Sequence, residues 1–170
     1  MPRIVKTLFL VRHAKSSWEN PEGGDHARTL NDRGRKNAPE MAARLKGRAV
    51  TLDRLITSSA TRARETGAFF VSGLDLGAES VIVEAQLYGA TAADWLGLIQ
   101  SLDESWNSVM MIGHNPTLTE LANGLGRMDI SNVPTCGVLE CRYAGDYWGN
   151  FGEQAEDLEI DFDYPKNMSA

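Results

Sequence analysis

Cysteine, histidine, positive charge and long apolar runs are all scarce in this chain of 170 residues. It contains two cysteines and three histidines, and its formal net charge is -6. Cys136 and Cys141 have no metal-ligand spacing and are too few for a disulfide framework, so we expect reduced thiols and no metal. The negative charge argues against nucleic acid or an anionic membrane as the main partner.

No apolar stretch approaches the roughly 20 residues that a membrane helix requires. The first apolar run is short and contains Lys6, which is unlike a signal peptide. We therefore expect a cytoplasmic protein. The length and a hydrophobic content of 42% predict a single globular domain over residues 1–170.

Apolar strands alternate with amphipathic helices along the chain, which predicts an α/β fold. We expect a three-layer α/β/α sandwich with a mainly parallel central sheet. Buried strands are predicted near residues 4–11, 52–57, 81–83, 108–112 and 138–143. From residue 158, apolar and acidic residues alternate strictly, which predicts a half-exposed antiparallel edge strand.

Local signals suggest where the helices begin. Pro39 is unfavourable inside the helix predicted over residues 31–46, and one resolution is a late start of the regular helix, with Asn37 as cap. Ser58 or Ser59 is the predicted cap of a helix reaching about residue 74. Further on, we expect Asn115 to cap a helix whose first residue is Pro116. A further amphipathic helix is predicted over residues 92–102.

Arg12 and His13 directly follow the first apolar run. In open α/β sheets, ligands bind at the carboxyl ends of the strands. A cation beside an imidazole at that point suits an anion site that contains a nucleophile or a base. The alternative is a strand end with two solvated polar residues.

Arg62 and His114 occupy comparable positions later in the chain. Arg62 falls in the first turn of a predicted helix, where a cation opposes the helix dipole unless it binds an anion such as phosphate. A surface ion pair with Glu65 or Glu79 is the alternative. His114 follows a buried strand and precedes a helix, as an anion site requires, although a packed turn residue would look the same.

These residues lie in motifs that resemble those of a known family. The motifs are Arg12-His13-Ala14, then Leu30-Asn31-Asp32-Arg33-Gly34, then residues 57–66 around Arg62, and finally Gly113-His114-Asn115-Pro116. Their types and order are similar to the histidine phosphatase superfamily, also called phosphoglycerate mutase-like, and most similar to its small phosphohistidine phosphatase branch. One departure is Ala14, which stands where most members have glycine.

The resemblance implies a phosphatase that uses neither metal nor cofactor. Its implied nucleophile is His13, which forms a phosphohistidine intermediate, while Arg12, Arg62 and His114 hold the phosphoryl oxygens. Arginine and neutral imidazole suit these tasks chemically. Glu84 is the tentative general acid, but Gln86 competes for the same aligned place, and then the acid would be missing.

Three functions remain open at this point. The first is a protein phosphohistidine phosphatase, which the short chain favours because an open pocket suits a phosphoprotein. The second is a phosphomonoesterase acting on a small phosphorylated metabolite, for which Glu84 should matter. The third is a phosphate-binding regulatory module without catalysis. His26, in the long loop from Lys15 to Arg28, is expected to be solvated, and Arg28 is a candidate brace for that loop.

Overall fold

The computed structural model describes residues 5–19, 21–126 and 128–167 of the chain. Within them, six strands alternate with four α-helices. The strands are β1 (Lys6–Arg12), β2 (Arg54–Thr57), β3 (Val81–Val83), β4 (Ser108–Gly113), β5 (Val138–Tyr143) and β6 (Leu158–Asp163). The helices are α1 (Asp32–Gly47), α2 (Thr61–Gly73), α3 (Ala92–Gln100) and α4 (Thr117–Gly124).

The strands form one mixed sheet in the order β3-β2-β4-β1-β5-β6. The pairs of β3 with β2, β2 with β4 and β4 with β1 are parallel, whereas β5 is antiparallel to both β1 and β6. The predicted α/β class is therefore confirmed, and β6 is the antiparallel edge strand that its alternating acids indicated.

Helices cover both faces of the sheet and enclose two cores. Leu8 and Leu10 of β1 contribute to the core beneath α3 and α4, while Phe9 and Val11 contribute to the core beneath α1 and α2. Successive side chains of a strand point to opposite faces, so the central strand must be apolar at nearly every position. This explains why β1 reads as a continuous hydrophobic run rather than an alternating one.

Two predicted strands need correction. We expected β3 to be buried, but it lies at the sheet edge and Val83 is 53% exposed. A run of three β-branched or aliphatic residues cannot distinguish a central strand from an edge strand. The first strand begins at Lys6 rather than at residue 4, which lies outside the described residues. The buried Lys6 ammonium donates to the carbonyls of Glu104 and Trp106.

The expected late start of α1 at Asn37 is wrong. The helix runs without interruption from Asp32, and Asn31 is its cap, accepting from the amide of Gly34 through its side chain at 2.9 Å. Pro39 lies inside this helix. It is tolerated there because the buried face around it, which includes Ala38 and Met41, packs against the sheet, and packing outweighs one lost hydrogen bond.

The residues predicted to cap α2 and α4 lie just before the observed cap positions, although Asn115 still accepts from the Thr119 amide of α4 through its side chain at 3.2 Å. The cap positions are Ala60 and Pro116, and neither supplies a side-chain hydrogen bond. The hydroxyls of Ser58 and Ser59 lie instead against His114 and His26. Local capping preference was therefore overridden by contacts between distant segments.

The remaining general expectations can be compared directly. Both cysteines are free and buried, and burial raises the pKa of each thiol to about 12. Among the described residues, none of the helices has the length and apolar character needed to span a membrane.

Candidate active site

The parallel register of β1, β2 and β4 brings the predicted site together. Arg12 at the end of β1 lies opposite Gly113 at the end of β4. His13 and His114 directly follow these residues, and the His13 amide donates to the Gly113 carbonyl at 3.0 Å. Ser58 follows β2 and donates through its amide to the Ile112 carbonyl. The same edge of the sheet therefore carries all three segments.

His13 is oriented by hydrogen bonds on both ring nitrogens. Its Nδ1 lies 2.7 Å from the carbonyl oxygen of Ala14, and since a carbonyl only accepts, Nδ1 carries the proton. Nε2 accepts from Nε of Arg62 at 3.3 Å. Burial first, and then the nearby charges of Arg62 and Arg12, lower the pKa of His13 to about 3. The imidazole is therefore neutral near pH 7, with its lone pair on Nε2.

His114 packs beside His13, with 5.3 Å between the ring centroids. Its Nε2 lies 2.8 Å from the Ser58 hydroxyl, and its Nδ1 is buried without a hydrogen-bond partner. Burial first, and the nearby Arg62 charge second, lower the pKa of His114 to about 4. This imidazole is also neutral at neutral pH, and it has one polar atom available for a ligand.

Arg12 approaches the same site from the end of β1. Its Nη1 donates to the carbonyl of Val133 at 2.9 Å, and its Nε is buried without a partner. Burial and the neighbouring Arg62 lower the pKa of this guanidinium. Buried polar atoms without partners are rare in folded proteins and point to an absent ligand or water. Among the described residues, such atoms occur on Arg12 and His114 of the site and also on Trp95 of the core.

The backbone after β1 is fixed by a contact with α2. The Ala14 amide donates to the Thr66 hydroxyl at 2.9 Å, and this hydroxyl donates to the Arg62 carbonyl at 2.7 Å. Among the described non-glycine residues, positive φ angles occur at Ala49, Asp75 and Cys136. Ala14 thus has an ordinary backbone conformation, which removes the steric objection to alanine at this position.

Gly34 of the second motif also has a structural reason. A Cβ atom placed on Gly34 would lie 2.2 Å from the carbonyl oxygen of Lys15. The start of α1 therefore approaches the segment after His13 more closely than any side chain would allow.

The loop from Lys15 to Arg28 folds back onto the site, which the sequence left open. Asp25 binds Arg62 through its carboxylate and its carbonyl oxygen. His26 Nε2 lies 2.9 Å from the Ser59 hydroxyl rather than in solvent alone. Arg28 braces the loop as suggested, because it donates to the Ser17 carbonyl and the Asp25 carboxylate.

Tyr88 and Asp25 are the residues near the site that sequence reasoning missed. The Tyr88 hydroxyl donates to Asp25 Oδ2 at 2.6 Å, and its ring lies 5.5 Å from that of His114. Tyr88 could have been noticed in the sequence, because it lies four residues after Glu84, the predicted general acid. Nothing in the spacing of Asp25 pointed to a distant arginine.

Glu84 lies at the carboxyl end of β3, where its amide donates to the Thr57 carbonyl at 2.8 Å. Its carboxylate caps the short turn that follows, accepting from the amide of Gln86 at 3.3 Å. Gln86 itself is exposed. The structure thus brings Arg12, His13, Arg62 and His114 together. The Glu84 carboxylate, by contrast, accepts a hydrogen bond from the turn that follows it.

Comparisons with known proteins agree with this arrangement. The family model of the histidine phosphatase superfamily (branch 1) matches residues 8–126. An uncharacterised protein of Mycobacterium tuberculosis is 30% identical over 151 residues, covering 82% of this chain and 90% of its own.

Solved structures extend the comparison to the fold. The "putative phosphohistidine phosphatase SixA" of Agrobacterium tumefaciens superposes with a TM-score of 0.78 and 26% identity, covering 94% of this chain and 98% of its own. A mycobacterial glucosyl-3-phosphoglycerate phosphatase shares the fold with a TM-score of 0.64 and 15% identity, covering 94% and 97%. With these matches added to the site geometry, the chain belongs to branch 1 of the histidine phosphatase superfamily, and it is a phosphatase.

Proposed function

We propose that this phosphatase removes the phosphoryl group from phosphohistidine on a protein. The observation that carries the proposal is that the carboxylates of Asp25 and Glu84 accept hydrogen bonds from neighbouring groups of the protein. Asp25 accepts hydrogen bonds from Tyr88, Arg28 and Arg62, which hold the pKa of its carboxyl well below the usual range. Glu84 is engaged with the Gln86 amide. In each of these contacts the carboxylate accepts a hydrogen bond and donates none.

The need for an acid differs between the two substrate classes. An alkoxide is a poor leaving group and requires a proton in the transition state, whereas imidazole leaves with less help. A site made of two arginines and two neutral imidazoles therefore suits a phosphoramidate better than an alcohol phosphate. This reasoning supports phosphohistidine over a phosphorylated metabolite.

The mechanism follows from the orientation of His13. Its Nε2 lone pair attacks phosphorus, and the bond between phosphorus and the substrate imidazole nitrogen breaks, leaving a phosphoryl group on His13. Water then attacks this group, releases inorganic phosphate and restores the neutral imidazole. Arg12, Arg62 and His114 stabilise the charge on the phosphoryl oxygens in both steps.

The surface beside the site supports a protein substrate. Trp18 is 73% exposed, and the Arg28 guanidinium lies 3.3 Å from the centroid of its ring. Exposed aromatic residues next to arginine are typical of surfaces that bind proteins. A groove of about 580 Å³ adjoins Trp18 and runs between Lys15 and Arg35.

A comparison of two substrates tests the proposal. One enzyme preparation, with a chelator present, is given a phosphohistidine-bearing protein and a simple alkyl phosphate, and kcat/KM is measured for each. We expect a strong preference for phosphohistidine. A preference for the ester would favour the small-molecule phosphomonoesterase, and activity toward neither would favour the non-catalytic module.

A further inference from the structure

The three nitrogens of Arg62 have different partners. Nη1 donates to the backbone carbonyl of Asp25 at 2.7 Å, and Nη2 donates to its carboxylate Oδ2 at 3.0 Å. Nε donates to Nε2 of His13 at 3.3 Å. Asp25 therefore binds the outer end of the guanidinium, while the edge that carries Nε is turned toward the candidate nucleophile.

Asp25 is itself held in place by other residues. Its Oδ1 accepts from Arg28 Nη1 at 3.0 Å, and its Oδ2 accepts from the Tyr88 hydroxyl at 2.6 Å. Arg28 is anchored in turn by the carbonyl of Ser17 and the hydroxyl of Ser16. Both carboxylate oxygens have donors on separate segments of the chain, so the orientation of Arg62 is determined by a connected network.

Asp25 also explains the position of Arg62 in the first turn of α2. A cation near a helix amino terminus is unfavourable unless an anion lies beside it. The Arg62 side chain is 7% exposed and its ion-pair partner is Asp25, rather than Glu65 or Glu79. The Glu65 carboxylate accepts instead from the Leu30 amide.

Three roles are conceivable for a carboxylate in this place. A general acid needs a proton, but both oxygens of Asp25 accept hydrogen bonds from other groups. An internal competitor of phosphate would cover the edge of Arg62 that faces His13, and Asp25 binds the opposite end. A residue that orients Arg62 would contact it as observed.

We propose that Asp25 is a positioning residue for the phosphatase reaction. By binding both Nη atoms, it holds the Nε edge of Arg62 where the phosphoryl group on His13 must lie. An arginine already oriented needs no rearrangement as charge develops in the transition state. The proposal rests on the proposed function, because it requires His13 as nucleophile and Arg62 as a phosphoryl ligand.

A double-mutant cycle tests this role with p-nitrophenyl phosphate as substrate. The variants are Asp25→Ala, the isosteric Asp25→Asn, Arg62→Ala and the double variant with alanine at both positions. We expect Asp25→Ala to lower kcat by about 10- to 30-fold with a smaller change in KM, because an Arg62 that is no longer oriented stabilises the transition state less. Asp25→Asn retains more activity because its amide oxygen still accepts from Nη2.

The decisive comparison is made in the Arg62→Ala background. There, Asp25→Ala should change kcat less than about 2-fold, because a residue acting through Arg62 has no effect without it. The pH profile should keep its shape. Asp75→Asn, which removes an exposed carboxylate paired with Lys46, is the control and should leave kcat unchanged.

Other outcomes overturn the proposal in recognisable ways. An equal loss in both backgrounds means that Asp25 does not act through Arg62. Loss of one limb of the pH profile identifies an acid or base, and a rise in kcat/KM identifies a competitor of phosphate. If Arg62→Ala itself keeps full activity, the proposed site has failed, whereas an impaired Arg62→Ala with a neutral Asp25→Ala overturns the positioning role alone.

Discussion

The Ser58 hydroxyl lies 2.8 Å from Nε2 of His114. This contact joins the carboxyl ends of β2 and β4, and it fixes the imidazole so that Nδ1 is the atom without a partner. The same hydroxyl accepts from the Ala60 amide at 3.2 Å. Ser58 therefore links the start of α2 to a residue proposed to hold the phosphoryl group.

Removing this hydroxyl should impair the reaction more than the fold. We expect Ser58→Ala to lower kcat/KM about 10-fold, which corresponds to one hydrogen bond of about 1.4 kcal/mol. Ser101→Ala is the matched control, since the Ser101 hydroxyl donates to Leu98 at the end of α3. Equal kinetics for the two variants would show that Ser58 does not orient His114.

The nucleophile can be identified by comparing histidines. His13→Ala should lower kcat by about 10³-fold or more and abolish the acid-labile phosphoenzyme, because it removes the attacking nitrogen. His26→Ala, which removes an exposed ring bonded to Ser59, should still form the phosphoenzyme. Rapid-quench labelling with a phosphohistidine protein measures the phosphoenzyme formed by each of the two variants. Phosphoryl label on His13→Ala would rule out this mechanism.

The buried state of His13 predicts how stability depends on pH. Its pKa is about 3 in the folded protein and 6.5 ordinarily. As pH falls below 6.5 the unfolded chain takes up a proton that the folded protein does not, so protonation favours unfolding. The contribution of neutral His13 to the free energy of unfolding is therefore complete above pH 6.5 and is lost as the pH falls toward 3.

The magnitude can be measured by urea unfolding. Between pH 6.5 and about pH 5, His13 should account for about 1.5 kcal/mol of lost unfolding free energy. Over the same pH interval, the unfolding free energy of His13→Gln should fall by about 1.5 kcal/mol less than that of the unsubstituted protein. Parallel curves for the two proteins would mean that the imidazole is not held neutral by the fold.

Glu84 allows the two substrate classes to be separated. We expect Glu84→Gln to leave kcat/KM for the phosphohistidine protein unchanged, because imidazole requires little acid assistance. If Glu84 does act as an acid toward esters, the same variant lowers kcat/KM for p-nitrophenyl phosphate less than for an alkyl phosphate. A large loss with phosphohistidine would make Glu84 part of the principal mechanism.

Gly113 connects the packing of the sheet to the site. A Cβ atom there would lie 2.2 Å from Cζ2 of Trp95, which is fully buried. We expect Gly113→Ala to destabilise the protein by about 1–3 kcal/mol through overpacking. Gly97→Ala is the control: Gly97 lies inside α3 with nothing within 4 Å, so alanine should stabilise by up to about 1 kcal/mol. Thermal unfolding checks both signs.

Local sequence determined more of the sheet than of the helix ends. The apolar runs located β1 and β4, and the strict alternation after residue 158 identified β6 as an edge strand. Burial of apolar surface depends on residue type, so it is visible in the sequence. The cap of α2 was missed because Ser58 and Ser59 bond to His114 and His26 from other segments, which no local pattern records.

The sequence likewise predicted some features of the candidate site and left others to the tertiary structure. The sequence could predict Arg12, His13, Arg62 and His114 as site residues because each lies at a strand end or in the first turn of a helix, and parallel strands present their carboxyl ends at one edge. The contact of Asp25 with Arg62 spans 37 residues, and the orientation of His13 depends on Arg62 and on burial. Distance, desolvation and hydrogen-bond direction arise only when the chain is folded, so only the tertiary structure decided them.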